Sequence, residues 1–93
     1  MPRKLNPGRG ERAGAVAKAV GKALKEARTF AGFSQSALAY KIGVSRQLYV
    51  DIEAGKVSPR VDQVDAVAAA CGVSPTTIIR RCVDIINAAP PIP

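Results

Sequence analysis

Few side chains in this 93-residue chain are equipped to make or break covalent bonds. Histidine is absent, and the two cysteines, Cys71 and Cys82, stand in alanine- and isoleucine-rich segments. A zinc ion would have to complete its shell with carboxylates alone, so no metal is expected and the thiols read as reduced core groups. No phosphate-binding glycine loop is present either, and neither an enzyme, a cofactor nor a small-molecule ligand is expected. What the chain does offer is ionic and hydrogen-bonding chemistry. Fourteen Lys and Arg face seven Asp and Glu, a net charge of +7, which makes an anionic polymer or surface the first partner to consider. The charge is uneven. Residues 1–28 hold eight bases against only Glu11 and Glu26, so the basic side lies toward the N-terminus.

These groups need elements to position them. Residues 1–12, MPRKLNPGRGER, mix two prolines, two glycines and five charges without periodicity and read as a flexible basic arm. From Ala13 to Ala31 the spacing of Val16, Val20, Leu24 and Ala27 predicts a helix with lysines on its wet side. Lys18, Lys22, Lys25, Glu26 and Arg28 interrupt this run, so it is neither a signal sequence nor a membrane span, and a cytoplasmic protein is expected. Gly32 should stop the first helix. Ser34 is placed to cap a second, ending at Ile42 and Gly43. Only Val44 lies between Gly43 and the next capping residue, Ser45, so the second and third helices must cross steeply through a tight turn. The third runs from Arg46 to about Ala54. A fourth is expected over Val61–Cys71, with Val64, Val67, Ala68 and Cys71 inward, and a fifth from Pro75 behind the cap Ser74. No segment alternates as a strand would, and the fold class is all-α: one compact five-helix domain over residues 13–88, with a Pro-rich tail at 89–93.

Residues from about Val20 to Ile79 carry a register that resembles a known family. The residues are Val20-Gly21, Leu24 and Arg28; Phe33-Ser34-Gln35 and Leu38-Ala39; the turn Ile42-Gly43-Val44-Ser45-Arg46; then Ile52-Glu53, Gly55-Lys56, Pro59, and Cys71-Gly72-Val73-Ser74. Together they resemble the lambda-repressor-like, Xre-type helix-turn-helix family of DNA-binding domains, with the motif itself over about 34–55. The local physics agrees: Ala39 is small where two helices cross, Gly43 suits a left-handed turn, and Leu38, Ile42, Val44 and Ile52 supply a shared core.

The resemblance implies a double-stranded DNA operator as partner. It assigns Arg46 and Gln47 to base contact, Arg46 suited to guanine and Gln47 to adenine, with Val50 against a thymine methyl. It places Gln35, Ser45, Lys56, Ser58 and Arg60 at the DNA backbone, Gln35 also buttressing the recognition helix, and pairs Arg28 with Glu53 in an internal salt bridge. The arm residues Arg3, Lys4, Arg9 and Arg12 would follow a neighbouring minor groove or the phosphates. Two residues leave the pattern. Tyr49 fills a position usually held by Ile or Val, and is expected to fit by bringing its hydroxyl to the surface. Asp51 puts a negative charge near DNA; it is open to accepting from cytosine N4, to orienting Arg46 or another basic side chain, or to a purely solvated place. On the last helix Ile78, Cys82 and Ile85 are the expected face for a homodimer. The function implied is a sequence-specific transcriptional regulator of the phage repressor or Cro type. An antitoxin-like module that also autoregulates its operon is the competing reading.

Overall fold

The computed structural model describes residues 7–88, with side chains from residue 12 onward. Five helices follow one another: α1 (Pro7–Ala31), α2 (Gln35–Ile42), α3 (Arg46–Glu53), α4 (Val61–Cys71) and α5 (Pro75–Ala88). Among the described residues there is no strand, in keeping with the expected all-α class.

α1 begins six residues before the expected Ala13. Once the alanine-rich run has nucleated, adding residues at its N-terminal end costs little, and Pro7 suits the first position because the N–H it lacks would have no helical partner there. Arg9 and Arg12 therefore belong to the opening turns of a helix rather than to a flexible arm, with Arg12 exposed. Arg3 and Lys4, and the tail residues 89–93, lie outside the described residues.

The joints are glycines in the left-handed region: Gly32, Gly43, Gly55 and Gly72 all have φ between 74° and 84°. At Gly43 this geometry reverses the chain after α2, and the N–H of Val44 closes back onto the carbonyl of Ala39 at 3.0 Å. One residue later the Ser45 hydroxyl accepts from the N–H of Leu48 at 3.0 Å and starts α3. Ser34 does the same for α2 with Ala37. At α4 the cap is one-sided: Gln63 accepts from the backbone N–H of Arg60 at 2.9 Å, whereas an arginine side chain has no acceptor to return.

α1 lies across α3, α4 and α5, and α2 packs on α3 and α4. Leu24, Leu38, Tyr49, Ile52 and Val67 are the largest fully buried side chains. The buried face of α1 is mostly alanine, through Ala17, Ala19 and Ala23, with Val16 and Val20 only half-buried. That smallness has a purpose at Gly21. A Cβ there would stand 2.5 Å from the carbonyl oxygen of Glu53 and 2.6 Å from that of Ile52, so the last turn of α3 rests directly on the backbone of α1.

α5 overturns the expected dimer face. Ile78 and Cys82 are 3% and 6% exposed and close the domain's own core, with Ile85 packed beside them. α5 has to bury one stripe against α1 and α4, and it uses this one. The apolar residues left outside are Ile79 and Val83, 49% and 46% exposed. No helix among the described residues is long and apolar enough to cross a membrane.

Candidate nucleic-acid interface

α3 presents two unlike faces. Tyr49 and Ile52 point inward, while Arg46 and Gln47 are exposed in its first turn and Val50 is half-exposed one turn on. The opening amides of a helix lack intrahelical partners and carry its positive end, so this turn offers donors as well as side chains to an anionic partner.

The far end of α3 is held by a hydrogen-bonded cluster. Arg28 Nε donates to Glu53 Oε2 at 2.7 Å and its Nη2 to Oε1 at 3.1 Å, while Nη1 donates to the Phe33 carbonyl at 2.8 Å. Gln35 Nε2 adds a bond to Glu53 Oε1 at 3.0 Å. The Arg28 and Glu53 side chains are only 13% and 4% exposed. Burial pushes the Glu53 carboxyl up, but the hydrogen bonds from Arg28, then the nearby Tyr49 hydroxyl, the Gln35 amide and the Arg28 charge, outweigh it and hold the group below the ordinary carboxylate range. α1, the α1–α2 turn, the start of α2 and the end of α3 are thereby tied at one carboxylate. The Arg28–Glu53 pair is present, and the Gln35 amide is bonded to the same carboxylate at the end of α3. The phosphate role expected of the Gln35 side chain fits less well, because that amide is already turned inward to Glu53.

Tyr49 corrects an expectation. It is 0% exposed, and its hydroxyl does not reach the surface but ends inside without a hydrogen-bond partner. The phenol lies close enough to Glu53 to feel its charge without a bond of good geometry. Burial first, and that carboxylate second, push its ionisation far above the usual range. The ring fills the space between α3 and its neighbours that Ile or Val would only partly occupy, and the hydroxyl is carried in with it.

Asp51 is hydrogen-bonded to a neighbour on its own helix. Gln47 Nε2 donates to Asp51 Oδ1 at 3.0 Å, across one helical turn. Among the described residues no basic side chain forms a salt bridge with Asp51; its side-chain hydrogen-bond partner is Gln47. The i, i+4 spacing of an amide and a carboxylate on one exposed face was the available signal.

Beyond α3, Gly55 at φ 77° passes so close to α1 that a Cβ would meet the Lys18 stem at 2.8 Å and its Cα at 3.0 Å. Lys56 and Ser58 follow, both exposed. Arg60 is exposed as well, but forks onto Asp62 with bonds of 3.0 and 3.1 Å, which offsets part of the charge it could bring to a phosphate. Lys18, Lys22 and Lys25 stand exposed along α1. Arg81 of α5 pairs with Glu26 of α1 at 2.7 Å, a contact with nothing in its spacing to announce it; both partners are nearly half exposed, so the pair is worth little. A surface hollow of about 710 Å³ beside the α1–α3 crossing is lined by Lys22, Lys25, Glu26, Thr29, Phe30 and Glu53, apart from the outward turn of α3.

A family model described as helix-turn-helix matches residues 24–78, from the core residue Leu24 through both helices of the crossing to Ile78. The chain belongs to the helix-turn-helix family. At that level it is a DNA-binding transcriptional regulator. Solved structures of similar fold include the clp gene regulator ClgR from Corynebacterium glutamicum, at 22% identity over 77% of each chain with a TM-score of 0.74. A second structure of that regulator covers 92% of this chain and 97% of its own, at 21% identity and a TM-score of 0.72. The restriction-modification controller protein C.AhdI from Aeromonas hydrophila is 27% identical over 71% of this chain and 94% of its own, with a TM-score of 0.65. A comparison with curated proteins finds no significant match.

Proposed function

We propose that this helix-turn-helix chain is a sequence-specific regulator that places the first turn of α3 in the major groove of operator DNA, in the cytoplasm. The observation that carries this is the contrast on α3: Arg46 and Gln47 stand exposed at its start, while its end is locked to α1 and α2 through Arg28, Gln35 and Glu53. A recognition element needs both, since base contacts specify only when the helix is held at a fixed angle. In this reading Arg46 donates to the O6/N7 edge of guanine, Gln47 reads adenine, and Val50 packs on a thymine methyl. Ser45, Lys56, Ser58 and Arg60 meet the backbone, and Gln35 does so through its main-chain N–H at the start of α2. Arg3, Lys4, Arg9 and Arg12 add basic charge along the duplex.

Occupying an operator in the manner of a phage repressor or Cro protein is the finer form of the proposal. A second copy is expected to pack on the Ile79 and Val83 stripe of α5, giving two half-sites about 34–36 Å apart.

Selection of bound DNA from a random pool at a stated salt concentration tests this reading. Paired inverted half-sites are the expected result, and a single asymmetric site would remove the dimer. No enrichment over bulk DNA would overturn sequence-specific binding altogether. On the selected site Arg46→Ala should cost about 1–3 kcal/mol and relax the preference at one position, whereas Lys56→Ala should weaken all sequences alike and lower the salt slope by about 1. Equal losses from both on matched and scrambled DNA would mean that another face binds.

A further inference from the structure

A glutamine in a recognition helix is an ambivalent reader. Its amide turns either way, offering an acceptor to adenine or cytosine, or a donor to guanine or thymine. Here one way is closed. The carboxylate of Asp51 only accepts, so the bond to Gln47 at 3.0 Å requires the –NH₂ end of the amide to face it. The carbonyl oxygen of Gln47 is then the end left for a partner, together with the second hydrogen on Nε2. Both side chains lie on the side of α3 away from buried Tyr49 and Ile52, beside Arg46 and Val50. Asp51 is not diverted from this bond by a salt bridge among the described residues. The backbone around it is independently held, since the Asp51 carbonyl accepts from the N–H of Lys56 at 2.9 Å.

Resting on the reading of α3 as the groove helix, we infer that Asp51 is a specificity-determining positioning residue, which locks the Gln47 amide carbonyl-outward and so commits it to a base bearing an amino donor. Adenine satisfies the whole arrangement: its N6 amino group donates to Oε1, and its N7 accepts the remaining Nε2 hydrogen. Cytosine supplies the amino donor without N7. Guanine and thymine present acceptors at this edge and would set an oxygen against the Gln47 carbonyl, with the Asp51 charge behind it. The negative charge that looked out of place near DNA thus acts through Gln47 rather than on a base.

The test uses the full chain and the site it selects from a random pool. The position read by Gln47 is the one whose preference disappears in Gln47→Ala. Binding is then measured with each of the four base pairs there, for the wild type, Asp51→Ala and Asp51→Asn. The wild type should favour adenine over guanine and thymine by roughly 10-fold or more. In Asp51→Ala that ratio should fall below about threefold, while the preference at the Arg46 position is kept and binding to scrambled DNA tightens as a negative charge is lost. Asp51→Asn should relax the ratio in the same way, because an Asn amide can accept or donate. Retention of the adenine preference in Asp51→Ala overturns the inference while leaving DNA binding intact, as does a loss spread evenly over all positions. Failure of the wild type to select any sequence would overturn the DNA reading itself, and this inference with it.

Discussion

The two ends of α3 are built on opposite rules. At its C-terminal end Glu53 receives three side-chain hydrogen bonds and is almost wholly buried, Ile52 is in the core, and the main chain rests on Gly21 with no room for a methyl group. At its N-terminal end Arg46 and Gln47 are exposed, and only the Asp51 bond restrains one of them. The same eight residues are thus fixed to the domain by one end and offered to a partner by the other. Substitutions at the held end should cost folding, and substitutions at the offered end should cost recognition.

Glu53→Ala should be the most damaging change. It leaves the guanidinium of Arg28 largely buried without its carboxylate, and the loss is expected at about 3 kcal/mol or more in chemical denaturation. The same pair sets an acid limit. Because the folded Glu53 carboxyl lies below its usual value of 4.5, its contribution is fully present above that pH and disappears as pH falls through the lowered folded value. Unfolding followed from pH 7 to pH 3 should show this loss in the wild type and a flatter curve in Glu53→Gln. Equal slopes would mean that Glu53 does not hold α3.

Gly21→Ala comes next. The added carbon would meet main-chain oxygens, which cannot rotate away, and overpacking of this kind costs about 1–3 kcal/mol. A lowering of the thermal midpoint by several degrees, by about 4–8 °C for each kcal/mol, is the outcome to look for. An unchanged midpoint would place α1 and α3 farther apart than described.

Arg46→Ala sharpens the contrast from the other side. Its stability should stay within about 0.5 kcal/mol of the wild type, as for other surface substitutions, while discrimination between matched and scrambled DNA drops. A destabilised Arg46→Ala would erase the distinction between the two ends.

The smallest effect is expected at Tyr49, and with the opposite sign. Its buried hydroxyl has no partner, so Tyr49→Phe removes a desolvated polar group while keeping the ring, and should leave stability unchanged or raise it by about 1 kcal/mol. Loss of stability would show that the hydroxyl is satisfied after all.

Much of this frame is legible in the chain. Ser34, Gly43, Ser45 and Gly72 mark helix ends because each residue type solves a local backbone problem, either a missing acceptor for a helix amide or a left-handed turn. Those problems do not depend on what lies across the domain. The start of α1 is harder to read, since Pro7, Gly8 and Gly10 have poor helix propensity, yet extension from an established helix overrides it. The two stripes of α5 could not be told apart from their spacing. Ile78 with Cys82 and Ile79 with Val83 are equally periodic, and only the placement of α1 and α4 decides which is buried.

The candidate site divides in the same way. Arg46 and Gln47 are conspicuous because they follow a capping serine on a short helix, and the Arg28–Glu53 pair follows from the family register. Nothing in the local pattern shows that Gln35 would spend its amide on Glu53, that the Tyr49 hydroxyl would be sealed inside, or that Arg81 would reach Glu26. These contacts join residues 18 and 55 positions apart, or depend on how a ring is enclosed from several sides. The sequence by itself determined the number of helices, the turn between α2 and α3, and the residues standing at the start of α3, because capping, glycine conformation and apolar spacing act over a few residues. The tertiary structure alone decided which face of each helix is buried and which hydrogen-bonding groups remain free, because burial and polar partnership are properties of the assembled helices.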